Sequence, residues 1–279
     1  MISNEKETVT QLTNYVVDSF NQRNMLINKI AVQKVIYQIK MDLGENHPLY
    51  DKIPYYWYYH GPYCELVADS LDEVNLINGL SKEYPVLVEF PEIMDSTDNL
   101  LDKGDYVYSD LTEDIYKKYA PLEVMHLFKY RIFNPTEKEV FSGNGNEYFD
   151  VFTRCHDKLL NIRFLREFMP VFSGLHMQIG FLNDSNNIGE CWNLLRSPIR
   201  HSWFTFAEAL RIQFHDSYYD NISEEWNAMF VKSLKEFEKE SFDLEHKTFD
   251  FIDQSLYGSY TEGQKRVIDS TLGVYLRDD

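Results

Sequence analysis

The sequence predicts a mainly α-helical protein of the α+β class: a winged-helix-like N-terminal module carrying a small β-hairpin, followed by an all-α helical bundle. Three observations point there. Apolar residues recur at helical spacing through most of the chain. Only two short segments are dense in aromatic and β-branched residues. Gly and Pro number just 12 and 9 in 279 residues, which leaves little room for long irregular linkers.

The first helix spans 5–20, where Val9, Leu12, Tyr15, Val16 and Phe20 form one stripe. A second helix follows Asn28, whose side chain suits an N-cap; it buries Ile30, Val32, Val35, Ile36 and Ile39 and stops at Gly44. Residues 53–60 are aromatic, short and bounded by turn residues, which predicts a strand, and Gly61-Pro62 predicts a sharp strand-to-helix turn. Helical spacing returns over 65–78. Residues 84–90 read as a second strand, with 106–108 as its hairpin partner, and 91–105 as an acidic loop containing Asp95, Asp98, Asp102 and Asp105. A helix over 112–130 completes the first module.

The Gly- and Asn-rich stretch 141–146 predicts a boundary, giving domains at 1–140 and 147–279. Beyond it, helices are expected over 150–169, 170–181, 199–214 and 224–251. The last has the clearest pattern: Ser223 as N-cap, acidic residues in the first turn, and Trp226, Phe230, Leu234, Phe237 and Leu244 on one face.

Charge narrows the function classes. The net charge is −18, and residues 1–110 alone hold 8 basic and 18 acidic side chains. A winged helix with that charge is repelled by the phosphate backbone, which argues against direct DNA binding. Three scattered cysteines form no CxxC pair, so neither a disulfide framework nor a metal site is expected, and no cofactor motif occurs. Without a basic-then-apolar leader or a run of membrane-spanning length, the expectation is a soluble cytoplasmic protein.

Two co-linear motifs carry a family resemblance. Val32-Gln33-Lys34-Val35-Ile36-Tyr37 and, after it, Tyr58-Tyr59-His60-Gly61-Pro62-Tyr63 with Cys64 resemble the Panacea (SocA-like) antitoxin domain over about residues 28–90. The resemblance implies a protein-binding module: an antitoxin, or a component of a prokaryotic or phage defence or anti-defence system, whose partner is another protein. The exposed part of the aromatic strand and its turn is the expected contact surface, with Tyr56, Tyr58, His60 and Tyr63 as partner-binding residues. Read physically, His60 first suggests a side chain that pins the turn by a hydrogen bond.

A rival constellation lies in the second half. Arg196 and His201, in Arg196-Ser197-Pro198-Ile199-Arg200-His201, resemble the Arg-x4-His signature of HEPN ribonucleases. That likeness implies metal-independent RNA cleavage in a site shared across a homodimer, with the arginine on the scissile phosphate and the histidine on the 2′-hydroxyl proton. Under this alternative the N-terminal module restrains the nuclease, and RNA becomes a ligand.

Overall fold

The computed structural model describes residues 5–74, 84–102, 108–136, 145–184, 188–189 and 191–259. Helix α1 (Glu5–Gln22) forms as its stripe predicts, with Val9, Leu12, Val16 and Phe20 buried. Asn28 caps α2 (Lys29–Leu43) by accepting from the backbone N–H of Ile30 at 2.8 Å. Gly44, at φ +76°, ends it. A 3₁₀ turn (Tyr50–Lys52) leads into strands β1 (Tyr56–Tyr58) and β2 (Gly61–Tyr63) and helix α3 (Glu65–Val74).

The hairpin is therefore not the one the sequence pattern suggested. Residues 85–89 form a short helix, α4 (Pro85–Glu89), although their valines and leucine favour a strand. Pro85 lacks the N–H a ladder needs and is pre-set for a first helical turn. The N–H groups of Leu87 and Val88 turn back onto the Tyr84 carbonyl, leaving Leu87 buried and Val88 79 % exposed. The expected partner residues Tyr106 and Val107 lie outside the described residues, and Tyr108 opens helix α6.

The expected acidic loop is also mostly helix, α5 (Glu92–Leu101). Ile93, Thr97 and Leu101 share its buried face at four-residue spacing, while Glu92 and Asp95 oppose the dipole in the first turn. Two of its acids are engaged: Arg23 holds Asp98 at 2.9 Å and Asp102 at 2.7 Å. The helix expected over 112–130 is divided into α6 (Tyr108–Tyr119) and α7 (Val124–Leu127), and α7 widens into a π-helical turn, Phe128–Phe133.

In the second half α8 (Gly145–Leu159) and α9 (Met169–Asp184) are separated by a 3₁₀ turn at Arg163–Leu165. Helix α10 (Trp192–Gln213) starts two turns earlier than expected and runs through Pro198. A 3₁₀ segment (Ser217–Ile222) then leads to α11 (Ser223–Ser259), which packs along α10. Trp226, Phe230, Leu234, Phe237 and Leu244 are all buried on the predicted face.

The fold is thus mainly α with one small antiparallel hairpin. Residues 141–144 of the expected boundary lie outside the described residues. One continuous apolar cluster nevertheless runs from Val9 to Leu244 and includes side chains from both expected domains. The chain after α10 also extends the hairpin: Trp57 N–H donates to the Phe214 carbonyl at 3.0 Å, and Asp216 N–H to that of Tyr55 at 2.9 Å.

Candidate functional site

The hairpin pairs Tyr56 with Tyr63, Trp57 with Pro62 and Tyr58 with Gly61, so Tyr59 and His60 form a two-residue corner. Pro62 is thus a strand residue rather than a helix start. Gly61 closes the corner at φ +90°, where a Cβ would meet the Tyr116 ring at 3.1 Å and Lys34 Nζ at 3.4 Å. Both its left-handed backbone and its crowding call for glycine.

A corner this tight buries backbone carbonyls that no strand neighbour can satisfy. Side chains supply the donors. Lys34 Nζ donates to the Pro62 carbonyl at 2.8 Å, while Lys129 Nζ at 3.1 Å and Trp203 Nε1 at 3.2 Å both donate to the Tyr59 carbonyl. Gln33 clasps the peptide of Cys64 from both sides, donating to its carbonyl at 2.8 Å and accepting from its N–H at 3.0 Å. The two motif segments quoted above, one on α2 and one on the hairpin, are therefore bonded to each other.

Lys34 is 1 % exposed and Lys129 5 %, and neither meets a carboxylate among the described residues. Burial pushes the Lys34 ammonium down to about 7, helped by the nearby Lys129, and burial alone brings Lys129 to about 7. Lys129 recovers part of its lost hydration from the rings of Phe133 at 4.1 Å and Trp203 at 4.8 Å. Lys40 shows the ordinary solution: it is also buried, but it reaches Asp216 at 2.5 Å.

Helix α10 fixes the aromatic wall. Tyr58 and Tyr59 stack at 3.8 Å, and both hydroxyls donate to Glu208 Oε1, at 3.0 and 2.7 Å. Glu208 is buried and paired with Arg211, whose guanidinium lies over Tyr58 and Trp226. Burial, with Glu208 as acceptor, raises both tyrosine pKa values. The wall is a rigid, protonated pair.

The expected contact residues divide. His60 is exposed at the corner, where desolvation, then Lys129 and Lys34, push its imidazole down to about 4, so it presents a neutral ring. It forms no hydrogen bond among the described residues, and the lysines and Trp203, not His60, pin the turn. Tyr58 and Tyr63 are half-buried. Tyr56 offers the least: at 3 % exposure it packs against Tyr219 and Trp226 and donates to Glu65 at 3.2 Å, leaving only a small part of it on the wall of a pocket. Alternation along a three-residue strand sends Tyr56 and Tyr58 to the same face, but the chain after α10 covers only the first of them. Between the hairpin, α2 and α3 is a pocket of about 410 Å³, with Lys34, Tyr59, His60 and Tyr63 among its lining.

Arg196 and His201 both lie on α10, five residues apart, which separates them by about 140° around the axis. Arg196 lines an open cleft that His201 does not. His201 is half-buried, and its Nδ1–H donates to the Ser197 carbonyl at 2.9 Å.

Sequence reasoning missed Lys129, Trp203, Glu208 and Arg211, which reach the hairpin from 70 to 150 residues away. One signal was available: a lysine at position 34 inside the apolar run Ala31–Ile36 has to find a polar group in the core. Among the described residues no group of His, Cys, Asp or Glu is arranged to hold a metal ion, and no helix is long and apolar enough to cross a membrane. No model of a known protein family, no curated protein and no solved structure matches the chain.

Proposed function

We propose that the chain is a protein-binding regulatory module, antitoxin-like or part of a prokaryotic or phage conflict system, that offers the hairpin corner to its partner. One observation carries the reading. An exposed neutral imidazole and two half-buried tyrosines stand over a pocket whose walls are locked from behind by Lys34, Lys129 and Glu208. Rigid, half-buried aromatic side chains around a pocket are the usual anchor of a protein interface, because little side-chain entropy remains to be lost on binding. The chain's charge of −18 favours a partner with a basic contact face over a nucleic acid.

The test is capture from the native host with the tagged full chain, beside a His60→Glu, Tyr63→Ala double variant. A stoichiometric partner should bind the wild type and be lost by the variant, whose melting curve stays unchanged. Capture at wild-type strength by the variant would sink the proposal. The ribonuclease alternative has no supporting geometry, since Arg196 and His201 face apart. It would return if the chain captured only its own copies and cleaved RNA in a manner abolished by His201→Ala.

A further inference from the structure

A second concavity shares no lining residue with the hairpin pocket. It is a cleft of about 810 Å³ between the segment leaving the π-helical turn and the first turns of α10. We infer that this cleft binds a small organic phosphate, gripped by Arg196 and Arg200.

The charges come first. Arg23, Arg131, Arg166 and Arg211 each meet a carboxylate, as expected in a chain with 45 acidic residues. Arg154, Arg163, Arg196 and Arg200 meet none among the described residues, and of these four Arg196 and Arg200 line one cleft together, four residues apart on one face of α10. The Arg200 guanidinium is held over the Phe204 ring at 5.1 Å, which fixes its plane. Among the described residues no lining side chain is acidic, and the neutral ones include Asn134, Asn193 and Ser197, all able to donate. Such a lining complements an oxyanion and repels nothing but a cation.

Two independent features of the same wall agree. Trp192 is 3 % exposed and lines the cleft, yet its indole N–H has no hydrogen-bond partner, a cost that a bound acceptor would remove after a small shift of the ring. Trp192 and Asn193 also open α10, where Cys191 supplies no side-chain cap and the first turn holds no acid. Among the described residues the positive end of this 22-residue helix therefore has no anionic or capping side chain.

Size selects among anions. A bare phosphate would leave most of such a cleft empty, whereas its volume lies in the range of small-molecule sites. Phe133 and Pro135 give the organic part an apolar surface. The paired guanidinium groups match a phosphate monoester, which is dianionic above pH ~6 and accepts several charge-assisted bonds.

The experiment is titration of the full chain by calorimetry and tryptophan fluorescence with three probes: inorganic phosphate, a nucleoside 5′-monophosphate and a single-stranded RNA oligonucleotide. The monophosphate should saturate a single site and bind more tightly than phosphate. Arg196→Gln and Arg200→Gln should each weaken it ~10-fold, and Trp192→Phe, which removes the indole donor, should weaken the calorimetric affinity as well as diminish the fluorescence response. Because these arginines are exposed, both variants should fold, which circular dichroism checks. His201→Ala should bind as the wild type does. Failure of the monophosphate to bind at millimolar concentration would overturn the assignment. So would binding indifferent to both arginine substitutions, or RNA binding that the monophosphate does not displace.

Discussion

Burying two lysines that meet no carboxylate among the described residues makes stability depend on pH in an unusual direction, and Lys34→Met isolates the effect. In the folded protein Lys34 titrates at about 7 instead of 10.5. Unfolded chains therefore bind more protons than folded ones between those values, so stability rises with pH across the interval. At pH 7, where Lys34 is about half-charged in the folded protein and fully charged in the unfolded chain, its burial costs about 4 kcal/mol, and at pH 9 about 2 kcal/mol. Methionine removes that cost but leaves the Pro62 carbonyl without its donor, a loss of about 2 kcal/mol. The variant should consequently be about 2 kcal/mol more stable than wild type at pH 7 and equal to it near pH 9. Wild type, in which Lys129 contributes the same trend, should gain about 4 kcal/mol between these pH values, and the variant about half as much. Above pH 10 the direction reverses, because burial raises the Tyr56 and Tyr59 hydroxyls above their ordinary range and their protons help hold the fold. Urea unfolding at pH 6 to 11 measures all of this. A wild type whose stability is flat or falling from pH 7 to 9, or a variant with an undiminished slope, would refute the reasoning.

Two substitutions probe the lock from other sides. Gly61→Ala forces a side chain into a φ of +90° and against Tyr116 at 3.1 Å, so it should cost about 2–4 kcal/mol in thermal or urea unfolding, whereas a tolerant corner would lose under 1 kcal/mol. Glu208→Gln leaves the Arg211 guanidinium buried without its carboxylate and should cost about 3–5 kcal/mol, with Tyr58 and Tyr59 gaining ring mobility visible by NMR. Wild-type stability in Glu208→Gln would mean that the pair does not hold the tyrosine wall.

The helices were legible wherever one face alone is buried. Val9 through Phe20, Asn28 with Gly44, and Trp226 through Leu244 all announce themselves through spacing and caps. Misreadings arose where local preference and tertiary context disagree. Residues 84–90 have strand-like composition, yet Leu87 is buried, Val88 is exposed, and Tyr84 and Phe90 pack against the core from the two ends of a short helix. In 91–105 the many aspartates hid a buried trio, Ile93, Thr97 and Leu101, that carries the helical period. For the site, the motif residues were legible but their roles were not. Which carbonyl Lys34 satisfies, and that Glu208 gathers two hydroxyls, depends on chain segments with no local relation to the hairpin.

That dependence bears on how the two halves relate. Tyr55 to Pro62 lies in the first half, but its immediate partners alternate along the sequence. Lys34 and Lys129 come from the first expected domain, and Trp203, Glu208 and Asp216 from the second. Asp216 is a joint in its own right, since it accepts from the Tyr55 N–H at 2.7 Å and also neutralises Lys40. A three-residue, two-stranded hairpin is too small to be stable by itself. Its geometry is therefore imposed by these contacts, and any event that shifts α10 shifts the corner with it. The cleft bearing Arg196 and Arg200 lies on that same helix, with Phe204 between Arg200 and the Tyr59 ring, 4.7 Å from the latter. Occupancy of the cleft and presentation of the hairpin are consequently mechanically adjacent. For one to influence the other, the ligand has to favour one of two positions of α10.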